Sequence, residues 1–80
     1  MPARSLTPAD IGDIVRNARK AAGLRQFELA GTAGVGVRFI VDLEAGKPTA
    51  QMGKALQVLR ALGCTFDITP PPEPKGRRIP

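Results

Sequence analysis

The chain has 80 residues, with 12 Lys and Arg against 7 Asp and Glu, a net charge of +5 and a sequence pI of about 10.4, so it forms one small basic domain. A core of this size supplies only about 3 to 5 kcal/mol, which leaves self-association as the obvious source of further stability. One cysteine and no histidine exclude an internal disulfide and a Cys/His zinc site, and the absence of imidazole, Tyr and a Walker-type glycine loop leaves no catalytic residue and no cofactor site to nominate.

No apolar run approaches the roughly 18 residues of a membrane span, and the start lacks a signal-peptide core, so a soluble, cytoplasmic protein that makes no membrane contact is expected. The positive charge suits a polyanionic partner. It is unevenly spread, since residues 70–80 hold three cations against one acid.

Residues 1–6 show little periodicity and read as an N-terminal arm. Thr7-Pro8-Ala9-Asp10 then opens a helix: a hydroxyl for free N–H groups, proline at the first helical position and an acid in the first turn. Ile11, Val15, Ala18 and Ala22 recur on one stripe to about Ala22, with Ile14 at its margin and Arg16, Arg19 and Lys20 off its centre. Gly23 supplies a left-handed cap, and Leu24 folds back after it.

A second helix is predicted from Gln26 to about Thr32, with Leu29, Ala30 and Ala33 facing inward. Phe27 falls about 160° from Leu29 at 100° per residue, on the outer face, where it either packs against the N-terminal arm or meets a partner protein. Gly34-Val35-Gly36 redirects the chain into a third helix from Val37 to about Ala45. Taking Ile40 as inward, Leu43 and Glu44 lie on the buried side and Arg38, Asp42 and Ala45 on the opposite one. Two short helices around a glycine turn form the helix-turn-helix pattern, whose second helix enters the DNA major groove.

Gly46-Lys47-Pro48 ends that helix. Thr49 is expected to cap a fourth, running to about Leu62 with Met52, Ala55, Leu56, Leu59 and Leu62 on one face and Val58 at its edge. That face is broader than a small monomer readily covers, which suggests a subunit contact. Cys64 to Thr69 alternates with period two and reads as a strand without a sibling, so pairing with the same strand of a second copy is the economical solution, and pairing with Ala3 to Leu6 the fallback. Val58, Leu62, Cys64, Thr65, Phe66, Asp67 and Ile68 are therefore the expected dimer contacts. Five of the eight prolines lie in residues 70–80, which form a separate Pro-rich basic tail beyond a folded unit of residues 7–69.

The strings IVRNARKAAGLRQFELA, AGVGVRFIVDLEAGKPTA and LQVLRALGCTFDI resemble the Xre/Cro-type helix-turn-helix repressors, and among them the HipB-like antitoxin branch, over about Thr7 to Thr69. The resemblance implies a mostly α, four-to-five-helix lambda-repressor-like domain with a short C-terminal β-strand pairing across a twofold dimer. It also implies binding to a palindromic operator in double-stranded DNA and, for this branch, a HipA-like toxin kinase as partner. Two departures stand out: Arg25 and Gly36 occupy positions where members typically carry a polar cap.

Arg38 is the strongest base-reading candidate, because a guanidinium grips guanine O6 and N7 together; the alternative is a plain surface pair with Asp42. Asp42, four residues on, either orients Arg38 or accepts from cytosine N4. Lys47, Arg25 and Arg16 are candidate phosphate contacts. By resemblance, Gln26 matches a position that hydrogen-bonds DNA, and Val37 a base-contacting one, where it meets a thymine methyl or simply completes the core. The resemblance likewise implies a structural ion pair between Arg19 and Glu44. The rival class of function is a protein-interaction adaptor that uses the same scaffold without specific DNA binding.

Overall fold

The computed structural model describes residues 6–65 and 70–72. Four helices follow one another: α1 (Pro8–Ala21), α2 (Gln26–Ala33), α3 (Val37–Glu44) and α4 (Met52–Ala61). The expected arm up to residue 5, the body of the expected strand at 66–69, and the tail from residue 73 lie outside the described residues.

Each helix start reflects the chemistry available there. At α1, Thr7 and Asp10 form a reciprocal capping box: the Asp10 amide donates to Thr7 Oγ1 at 3.1 Å and the Thr7 amide to Asp10 Oδ2 at 2.9 Å. At α2 only half of that device exists. The Arg25 amide donates to Glu28 Oε1 at 2.8 Å, but arginine has no acceptor to return the bond. The caps of α3 and α4, Gly36 and Gln51, use no side-chain bond at all.

The expectation that Thr49 caps α4 is corrected by this start: Thr49 lies in a turn and the helix begins at Met52. Ala50 donates back to the Lys47 carbonyl, so residues after Pro48 spend one more turn before the helix opens.

The helix ends are alike. Gly23, Gly34, Gly46 and Gly63 each adopt positive φ after a helix, and the following residue donates across the end, as Leu24 does to the Arg19 carbonyl and Cys64 to that of Leu59. Cys64 thus belongs to the close of α4, and neither it nor Thr65 is in a strand.

α1 and α2 both pack on α3, and α2 also meets α4, around Val15, Leu29, Ala30, Ala33, Ile40, Leu43, Val58 and Leu59. The α1–α3 approach is very close. A Cβ on Gly12 would stand 2.6 Å from the Leu43 carbonyl oxygen and 2.8 Å from that of Glu44, so only glycine fits there.

Helix α4 is rolled relative to the face expected from periodicity. Val58, expected at its edge and among the dimer contacts, is fully buried in the chain's own core, while Met52, expected inward, is exposed. The roll has a polar anchor: Gln57 Nε2 donates at 2.6 Å to the Ala33 carbonyl left open at the end of α2. Lys54 Nζ also lies 5.9 Å from the centre of the Phe39 ring. The displaced apolar surface of α4 then borders an open groove of about 530 Å³ shared with α1, lined by Leu6, Ile11, Ile14, Met52, Leu56 and Cys64 among others.

Candidate nucleic-acid interface

The interface is organised from beneath by a buried acid. Glu44, at the last position of α3, has a side chain only 4% exposed. Arg19 of α1 meets it with two bonds, Nε to Oε2 at 2.6 Å and Nη2 to Oε1 at 3.0 Å, and its remaining arm donates to the Leu24 carbonyl at 2.8 Å. Gln26, the first residue of α2, adds Nε2 to Oε1 at 3.2 Å. One carboxylate therefore ties together α1, α2 and α3.

Arg16 strengthens the same junction by donating to the Glu44 carbonyl at 3.3 Å, where positive charge favours a helix C-terminus. Hydrogen bonding to Glu44 raises the Arg19 pKa above that of a free arginine; burial opposes this and the carboxylate's charge adds to it. Because the shift is upward, its contribution to stability is complete below the unfolded-state value and is lost only as pH rises through the folded-state one, far above neutrality.

With that end fixed, α3 turns its other side to solvent. Arg38 is 86% exposed and Asp42 is half-buried, with Asp42 Oδ1 3.5 Å from Arg38 Nε and Oδ2 3.6 Å from Lys47 Nζ. The acid thus bridges two cations loosely. Exposed pairs of this length contribute a few tenths of a kcal/mol, so either cation can leave for a phosphate or a base at little cost. Val37 and Val41 flank that side, 47% and 40% exposed.

The structure therefore brings Val37, Arg38, Asp42 and Lys47 together on and just after α3. Gln26 is half-buried and committed to Glu44, with its side-chain carbonyl oxygen and second N–H left to offer. Arg16 likewise spends one N–H on the protein, while Arg25 is exposed at the α2 start. Phe39 is half-buried against the core and under Lys54, a packing role, and Phe27 stands 60% exposed as helical geometry predicts.

Three residues of consequence escape a reading by periodicity. Val41 lies between the inward and outward directions and draws no notice in a count of stripes. Gln57 is polar on a helix flank, with nothing local to mark its bond to the end of α2. Gly12 does carry a signal, because a mid-helix glycine costs roughly 1 kcal/mol against alanine unless something needs the space.

Among the described residues no helix is long and apolar enough to cross a membrane. Residues 15–68 match the helix-turn-helix family HTH_3. A protein of Sinorhizobium fredii (strain NBRC 101917 / NGR234), described as the uncharacterized HTH-type transcriptional regulator y4mF, is 68% identical over 73 residues, covering 91% of this chain and 96% of that protein. Among solved structures, the HipB-O4 20mer complex and the HipA-HipB-O2-O3 complex each contain a chain of the same fold, with TM-score 0.74 at 17% identity, covering 86% of this chain and 97% of that one. On the family match and the y4mF likeness together, the chain belongs to the Xre-like helix-turn-helix family of transcriptional regulators.

Proposed function

We propose that this chain is a homodimeric, sequence-specific repressor that occupies a palindromic operator in its own promoter, and that it is the antitoxin partner of a HipA-like kinase. The observation that carries the DNA reading is the outward face of α3, with Arg38, Asp42 and Lys47 held in register by the Glu44 junction behind them. Arg38 grips a guanine with Asp42 orienting its guanidinium; Lys47, Arg25 and Arg16 hold phosphates; Gln26 offers its remaining amide valences to the backbone. Twofold symmetry sets two copies of α3 about 34 Å apart, one per half-site, and occupancy excludes the transcription machinery.

The open groove between α1 and α4, lined at one edge by Cys64 and Thr65, supports a subunit contact there. Leu62, half-buried at the end of α4, joins that contact, together with Phe66, Asp67 and Ile68 beyond the described residues. Val58 supports it only from beneath. The kinase partnership rests on the fold shared with the HipB chains.

A mobility-shift assay on the DNA upstream of the coding region tests the DNA reading: a site-specific shift that weakens with added salt is expected, and no preference over random duplex overturns it. Co-purification with the product of the neighbouring reading frame tests the partnership. A frame that encodes no kinase-like protein removes the antitoxin role and leaves a general repressor.

A further inference from the structure

Along the flank of the charged pair on α3 runs an exposed apolar row. Val37 and Val41 are spaced i and i+4, so their methyl groups lie one above the other, and Ala45 continues the row a turn later, also exposed. The row runs beside Arg38 and Asp42 and ends next to Lys47. β-Branched residues are mediocre helix formers, and neither valine gains full burial, so their presence in an eight-residue helix brings no evident benefit to the folded chain.

We propose that Val41, with Val37, reads the 5-methyl group of thymine, so that each half-site this protein selects carries a thymine opposite the valine row. The inference rests on the DNA-binding reading above and extends it to a base identity. Three features favour this ligand. In the major groove thymine alone presents an apolar group, and it is met by apolar side chains. The strip has no polar atom to compete for a donor or acceptor. It is also too small for the core of a protein interface, which buries roughly 800 Å² per partner, whereas one or two methyl groups match its width, and the row is flanked by Arg38, placed to reach a neighbouring base, and Lys47, placed to reach a phosphate.

The experiment uses the full chain and the duplex enriched from a random library. Each thymine is replaced in turn by deoxyuridine, which removes only the methyl group, and affinity is measured for the wild type, Val41→Ala and Val37→Ala. One position per half-site is expected at which deoxyuridine weakens wild-type binding about fourfold, the equivalent of ~0.8 kcal/mol for one buried carbon. That penalty shrinks toward unity in Val41→Ala, and partly in Val37→Ala. Alanine is the better helix former at an exposed site, so both variants keep their helical signal.

Selected half-sites without thymine, or a deoxyuridine penalty that is absent or undiminished in both variants, overturn the inference while leaving DNA binding intact. Failure to enrich any duplex overturns the DNA reading and this inference with it.

Discussion

Replacing Arg19 by methionine keeps the aliphatic stem and removes the guanidinium. Glu44 then retains one side-chain partner, Gln26 Nε2 at 3.2 Å, and loses the bonds at 2.6 and 3.0 Å. With the carboxylate only 4% exposed, water cannot readily replace them. Breaking one side of such a pair costs about 3 to 5 kcal/mol. A domain of 80 residues has a total stability of roughly 4 to 12 kcal/mol, so this single change removes a large share. The partner change Glu44→Leu should be similarly harmful, but Arg19→Met with Glu44→Leu should recover most of the loss, since no uncompensated charge stays behind. Urea unfolding followed by circular dichroism at one fixed protein concentration measures all three variants. A loss below about 1 kcal/mol for Arg19→Met, or a double variant as unstable as the two singles combined, refutes the view of Glu44 as the junction of three helices.

Gly12→Ala should destabilise by about 1 to 3 kcal/mol despite alanine's better helix propensity, because its Cβ would meet two backbone carbonyls; thermal unfolding showing a gain would contradict the close α1–α3 approach. Gly36→Ser should stabilise by a few tenths of a kcal/mol by adding the missing cap of α3, read as a small rise in urea midpoint; a fall would place the loop in a conformation that a cap cannot serve. Arg38→Ala should relax preference at one base pair per half-site by about 1 to 3 kcal/mol, seen in competitive binding, whereas unchanged preference returns Arg38 to a surface pair with Asp42. Lys47→Gln should weaken all duplexes alike and flatten the salt dependence of binding by about one phosphate contact per subunit; an unaltered slope removes Lys47 from the interface.

Much of the fold was legible because short helices announce their ends. Thr7-Pro8 and the glycines after α1, α2 and α3 mark boundaries within a residue or so of those observed, and periodicity identified Val15, Leu29, Ile40 and Leu43 as core. Helix α4 was misjudged for a physical reason. Its apolar residues occupy a wide arc, so periodicity alone does not say which part turns inward. A long-range bond from Gln57 to the open end of α2 helps decide that Val58 is buried and Met52 is not.

The outer face of α3 was visible from the spacing of Arg38 and Asp42. The Arg19–Glu44 pair was expected by resemblance alone, since no local pattern links two residues on different helices. Gln26 shows the limit of reading one residue at a time: its amide looks free at a helix start, yet it completes the shell of a carboxylate that is eighteen residues away.

In the proposed mechanism α3, carried twice on a symmetric dimer, reads DNA sequence. Selection from a random duplex library with the 80-residue chain puts this to the test. The prediction is a single enriched, twofold-symmetric sequence whose half-sites lie about one helical turn apart, each with a guanine whose replacement is tolerated only in Arg38→Ala. A library that emerges unenriched, under salt conditions where the protein still retains duplex DNA, would contradict it.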